Sequence, residues 1–189
     1  MAITLKPVRP VTDEELLELS ERNPGYQFER TAKGELIVTP TGTEGGHREI
    51  RLGAQLDRWA DQDGRGLAFS SSTGFRLPNG AVHAPDASWV RRERWEAIPR
   101  AQRREIALLC PDAVFEIRSE NQSTAELREK MDVYLANGAQ IAVLIDPEER
   151  IVEVFRPGRE PQIHHNRATV DLDPELPGFM LDLRPIFET

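Results

Sequence analysis

The chain has 189 residues, 39% hydrophobic and 30% charged, a balance that suits one folded domain with a real core and is too short to promise two. No apolar run reaches the roughly 20 residues of a membrane span, the stretch from Met1 to Pro7 lacks the apolar core of a secretory signal, and the single cysteine, Cys110, excludes an intrachain disulfide and a multi-cysteine zinc site. Lys and Arg total 24 against 32 Asp and Glu, which argues against nonspecific coating of nucleic acid but not against an enzyme acting on it, because phosphate contacts are local and a bound metal cancels carboxylate charge.

A cytoplasmic location is the default expectation, with no membrane partner. In chain order, Thr12-Asp-Glu-Glu15 fits a capping box that opens a short helix to about Ser20. Tyr26 to Arg30 and Glu35 to Thr39 flank Ala32-Lys-Gly34 as a hairpin. A helix then runs from after Gly46 to about Asp61, with Leu52, Leu56 and Trp59 recurring at helical spacing toward a core. Gly64 and Gly66 end it. Leu67 to Ser71 and Phe75 to Leu77 read as strands, and Pro78-Asn-Gly80 as a turn. The next strand is expected to continue through Pro85 to Val90.

From Arg91 to Arg104 six arginines (91, 92, 94, 100, 103 and 104) accompany Glu93 and Glu96. They form either a solvated face around a short helix or a phosphate-contacting patch. Pro111 introduces a strand over Ala113 to Arg118. Ser123-Thr-Ala-Glu126 is a second capping box, and Gly138 closes its helix. Ile141 to Ile145 is continuously apolar, as in a strand buried on both faces, and Ile151 to Phe155 returns after a turn at Asp146-Pro-Glu148. The proline-containing tail packs as short strands. The order of elements implies one domain over 1–189 of α/β class, a central mixed β-sheet flanked by helices.

Within Ala113-Val-Phe-Glu-Ile-Arg118 side chains alternate, so Ala113, Phe115 and Ile117 share one face while Val114, Glu116 and Arg118 share the other. A glutamate in such a strand is costly unless it is paired or binds a cation; its bland explanation is an ion pair with Arg118 or another arginine. Two Pro-Asp dipeptides offer a second carboxylate. Asp112 lies four residues before Glu116, roughly 13 Å away at about 3.3 Å per residue, too far to share one ion. Asp86 starts another strand and can sit beside Glu116. Two close carboxylates raise one another's pKa and favour a metal, which can polarise a phosphodiester and activate water.

Only Lys6, Lys33 and Lys130 are lysines among the 24 basic residues. Lys130 and Tyr134 stand i, i+4 beside the stripe of Leu127, Met131 and Leu135. At that edge Lys130 can turn inward, or merely snorkel. Its removal is expected to leave the fold nearly intact.

These residues carry a family resemblance. The segments Glu29 to Val38, Ser72 to Gly80, Pro85 to Val90, Arg94-Trp-Glu96, Cys110 to Ser119, Glu129 to Tyr134, Asn137-Gly138 and Leu144 to Pro147 resemble, in order, the bacterial Uma family. That family is placed in the PD-(D/E)XK, or restriction-endonuclease-like, superfamily, and the resemblance spans about Val11 to Phe187. It implies a divalent-metal-dependent endonuclease hydrolysing DNA, with Mg²⁺ or Mn²⁺ held by Asp86, Glu116 and the backbone carbonyl of Ile117. Lys130 would position or deprotonate the attacking water. The superfamily's lysine belongs two residues after the glutamate, where this chain has Arg118, whose guanidinium stays charged; the family shifts the lysine to the following helix. Glu29 and the segment from Glu44 to Glu49 with His47 are accessory positions, as are Arg118 and Tyr134. The alternative is a catalytically silent nuclease-fold module that binds nucleic acid or a protein. DNA is the expected partner, and a homodimer is compatible with the resemblance.

Overall fold

The computed structural model describes residues 2–120 and 122–188; Met1, Asn121 and Thr189, which the expected domain includes, lie outside them. In chain order the elements are β1 (Ile3–Leu5), α1 (Asp13–Arg22), β2 (Tyr26–Arg30), β3 (Leu36–Pro40), α2 (Thr43–Asp63), β4 (Gly66–Ser70), β5 (Phe75–Arg76), β6 (Val82–His83), β7 (Ala87–Arg91) and α3 (Arg92–Glu96). A 3-10 turn over Gln102–Arg104 follows, then β8 (Ala107–Leu108), β9 (Ala113–Ile117), α4 (Thr124–Ala136), β10 (Ile141–Asp146), β11 (Ile151–Phe155), β12 (Gln162–His165), β13 (Thr169–Asp171), β14 (Met180–Asp182) and α5 (Arg184–Phe187). Among the described residues no helix is long and apolar enough to cross a membrane.

Local chemistry accounts for the helix ends. Thr12 accepts from the Glu15 amide while the Glu15 carboxylate accepts from the Thr12 amide, so the capping box forms in full and α1 starts at Asp13. At α4 the forward half of the box forms: Ser123 accepts from the Glu126 amide. Gly64 adopts the left-handed conformation that ends α2. Two residues on, Gly66 has a different task. A Cβ there would collide with the Trp89 indole, so glycine lets β4 lie against β7, its antiparallel partner.

The central sheet runs β12-β11-β10-β9-β7-β4. β9 and β10 pair in parallel, and the other neighbours are antiparallel. The parallel pair requires a crossover, which α4 supplies. On one face Leu52, Leu56 and Trp59 of α2 pack with Ala113, Phe115, Ile141 and Val143. On the other, Leu127, Met131 and Tyr134 of α4 pack with Val114, Ala142 and Leu144. The expected mixed sheet between helices is present, and β10 is buried along its whole length.

A second six-stranded sheet, β1-β3-β2-β6-β5-β8, was not anticipated. It incorporates Ile3–Leu5, to which the sequence assigns no element, and the two-residue β8, too short to show a period. The strand expected to pass through Pro85 is also divided. Val82–His83 belongs to the second sheet and Ala87–Arg91 to the central one. Proline has no amide to continue a ladder, so the chain changes sheets at Ala84-Pro85-Asp86. That break places Asp86 at the seam between the sheets.

Candidate active site

The register fixes the first pair of acids. Ala87 pairs with Phe115 across antiparallel β7 and β9, so the next position along brings Asp86 opposite Glu116. Asp86 Oδ2 accepts a 2.6 Å hydrogen bond from the Ile117 amide. Glu116 is buried on the face covered by α4, and α4 answers it twice: Lys130 Nζ lies 2.8 Å from Glu116 Oε1, and the Tyr134 hydroxyl donates to the same oxygen at 2.9 Å. Tyr134 is fully buried, so the inner stripe of α4 is Leu127, Met131 and Tyr134, while Leu135 is only partly covered.

Glu29 comes from the second sheet to meet the same lysine. Its carboxylate lies 3.0 Å from Lys130 Nζ, accepts from the Ala84 amide at 2.8 Å, and lies 3.2 Å from His83 Nδ1. The His83 ring in turn stands edge-on to Tyr134, with centroids 5.5 Å apart. Glu29, His83, Lys130, Tyr134 and Glu116 thus form one buried polar chain across the seam between the sheets. The expectation that Lys130 is dispensable for the fold does not survive this geometry. Its removal would leave two buried carboxylates without their shared cation.

Electrostatics divides the three acids. Burial drives the Asp86 carboxyl well above the ordinary aspartate range, the charges of Glu116 and Glu49 push it further, and the Ile117 amide and Lys130 offset this only in part. Glu116 is also raised, first by burial, against the pull of Lys130, with Glu29 adding repulsion and Lys130 and Tyr134 hydrogen bonds opposing it. Burial would raise Glu29 too, yet Lys130, His83 and the Ala84 amide outweigh it and hold Glu29 below the usual carboxylate range. For Lys130, burial alone would lower the value, but Glu116 and Glu29 hold the ammonium above its ordinary range.

Asp86, Glu116, Ile117, Arg118, Lys130 and Glu29 line one cleft of about 340 Å³. A larger groove of about 720 Å³ along α2 and β4 meets it at Glu49 and Asp86. Arg118 does not pair with Glu116. Its Nη1 lies 3.2 Å from both oxygens of Asp146, and its Nε donates to the Gln122 carbonyl. Of the segment from Glu44 to Glu49, Glu44 lines the cleft and is paired with Arg48 at 2.6 Å. His47 is exposed, accepts from Arg51, and does not line the cleft. It points away because α2 turns about 100° per residue, and Glu49 is the member that faces Asp86. His83 escaped sequence reading, while Glu49 and Arg48 fall inside the segment from Glu44 to Glu49 read as accessory, without being singled out there.

Whether a hard cation fits can be judged from the donors. Asp86 Oδ1 and Glu116 Oε2 accept no hydrogen bond from any described residue, both residues line the cleft, and both carboxyls are raised, Asp86 by burial and the charge of Glu116, Glu116 by burial and the charge of Glu29. A divalent ion takes oxygen ligands and relieves such repulsion. Among the described residues no group of three or more His, Cys, Asp or Glu side chains is arranged to hold a metal, so this donor set suits an ion that keeps several waters, as Mg²⁺ does.

The arginine-rich segment lies at the other end of the central sheet, after β7. Arg94 pairs with Asp112 at 2.9 Å and donates to the Cys110 carbonyl, and the Arg91 amide donates to Asp112. Arg92 donates to the Gly64 carbonyl, and Arg103 donates to Ile98 and Glu96 carbonyls and lies over Trp95. Four of the six therefore have partners within the fold, and none of the six lines the cleft of Asp86 and Glu116.

Comparison with known proteins agrees with this architecture. A family model described as "Putative restriction endonuclease" matches residues 13–184. A crystal structure of "a putative nuclease belonging to DUF820" from Anabaena variabilis has the same fold, with a TM-score of 0.75 and 22% identity over 95% of this chain and 98% of that one. None of the curated proteins matches the chain.

Proposed function

The chain belongs to the Uma2 family of restriction-endonuclease-like proteins, and from that premise we propose that it is a divalent-metal-dependent nuclease that hydrolyses DNA phosphodiesters at the cleft of Asp86, Glu116 and Lys130. The observation that carries this reading is the placement of Asp86 opposite Glu116 with Lys130 bonded to the latter, on the wall of an open cleft. Asp86, Glu116 and the Ile117 carbonyl would hold Mg²⁺ or Mn²⁺. When bound, such an ion polarises the phosphodiester and lowers the pKa of a water. Asp86 is held in place by the Ile117 amide. Tyr134 and Lys130 fix the Glu116 rotamer by sharing one of its oxygens, which leaves the other without a donor among the described residues. Lys130, steadied by Glu29 from the opposite sheet, brings positive charge to the place where negative charge develops on the phosphate.

One observation favours the alternative of a silent binding module. Arg118 stands where the superfamily has its lysine, and it is committed to Asp146. The test is nicking of supercoiled and single-stranded DNA with Mg²⁺ and Mn²⁺, with the Asp86→Ala protein as the contamination control. Mn²⁺-supported nicking by wild type, absent in Asp86→Ala and Lys130→Arg, supports the nuclease. Nicking that persists equally in Asp86→Ala is a contaminant, and absence of wild-type cleavage on DNA or RNA favours the silent module.

A further inference from the structure

Arg48 is buried to 8% exposure, although it is a long charged side chain on the first turns of α2. It lines the cleft of Asp86 and Glu116. Among the described residues its side-chain partners are two exposed carboxylates, both reached through Nη2: Glu44 at 2.6 Å and Glu148 at 3.4 Å. Their side chains are 60% and 52% exposed, so each costs little to release into water. Arg48 Nε has no hydrogen-bond partner among the described residues although it is buried, and Nη1 bonds to none of them either. A buried guanidinium with most of its fork unanswered is unusual.

The backbone beside it is likewise open. Gly42, the residue just before α2, contributes no side-chain cap. Gly42 and Gly45 also line the cleft, and a Cβ at Gly42 would meet nothing. First-turn amides without a cap, next to a guanidinium fork, suit an anion with several acceptor oxygens.

Building on the nuclease reading, we propose that Arg48 and the first turn of α2 seat a backbone phosphate of the nucleic-acid strand next to the one being cut, and that Glu44 and Glu148 occupy Arg48 until that phosphate displaces them. The guanidinium is matched to a phosphate by its planar, bidentate geometry. Because the cleft also carries Glu29, Glu49, Asp86 and Glu116, the phosphate seats only when a divalent cation offsets that charge.

The test is fluorescence anisotropy of a labelled single-stranded oligodeoxynucleotide in Ca²⁺, read as affinity against salt. For Arg48→Met, affinity falls about tenfold and the slope of log K against log salt shrinks by about 0.7, the value for one contact to a single strand. Arg48→Lys keeps the charge but not the fork, and recovers the slope without the full affinity. Glu44→Gln and Glu148→Gln, both at exposed side chains that leave the fold alone, each tighten binding severalfold, and that gain disappears in the Arg48→Met background. Glu120→Gln removes an exposed carboxylate of the same cleft that does not touch Arg48, and supplies the general charge effect. Equal tightening by Glu120→Gln and Glu44→Gln, a gain that persists without Arg48, or a slope indifferent to Arg48 would each overturn this inference while leaving the nuclease reading standing. Wild-type protein that binds no nucleic acid under any of these conditions would overturn both.

Discussion

Asp112 and Glu116 stand four residues apart on either side of one strand's length, both buried, yet their surroundings differ. Asp112 accepts from the Arg91 amide at one oxygen and is paired with Arg94 at the other. Glu116 offers one oxygen to Lys130 and Tyr134, its second accepts from no described residue, and it lines a cleft together with Asp86. A buried carboxylate answered on both sides holds its neighbours in place. One left half-answered beside another acid is where a cation would relieve the repulsion, and what separates the two is the supply of donors rather than depth.

The comparison is sharpened most by removing the lysine that the acids share. Lys130→Met should cost about 3–5 kcal/mol, the range for breaking a buried pair from one side, because Glu29 and Glu116 both lose it. Chemical denaturation measures this, and a loss under 1 kcal/mol would mean that water already satisfies both acids. Glu29→Gln should come next, at about 3 kcal/mol near neutral pH. Its folded pKa is depressed, so its contribution is present above the unfolded value of about 4.3 and fades as pH falls below it. The wild-type and Glu29→Gln proteins should therefore converge in stability in acid.

Asp112→Ala should cost about 2–3 kcal/mol, since it strips hydrogen bonds to a charged acceptor, without altering metal binding. Asp86→Asn should run the other way. Asp86 has a folded pKa raised by burial and by Glu116. Above the unfolded value of about 3.9 the folded state holds its proton more tightly, so stability falls as pH rises through the folded pKa. The asparagine variant lacks that loss and should be at least as stable as wild type at pH 7, with the advantage closing toward acid. A variant less stable than wild type at pH 7 would place Asp86 among the structural acids with Asp112.

Much of this is legible in the sequence. Alternation placed Glu116 on the face opposite Phe115, helical spacing put Leu52, Leu56 and Trp59 inward, and strand rise removed Asp112 from the candidate site. What escaped were properties of the seam between two sheets. Nothing local in Ile3–Leu5 or Ala107–Leu108 reports that they pair with distant strands. Pro85 read as an interruption tolerated within a strand, when it is where the chain changes sheets. Glu29 read as accessory because its partner Lys130 lies 101 residues away. His83 gave no usable signal, and Arg48 none beyond its place in an accessory segment, since a buried polar side chain is recognised by its neighbours and not by its own sequence context.

The measurement that bears most directly on the two-carboxylate account is calorimetric titration of Mn²⁺ into wild type, Asp86→Asn, Glu116→Gln and Asp112→Asn. The account predicts binding by wild type and Asp112→Asn, and loss of that heat in both Asp86→Asn and Glu116→Gln. Equal Mn²⁺ affinity in all four proteins would contradict it.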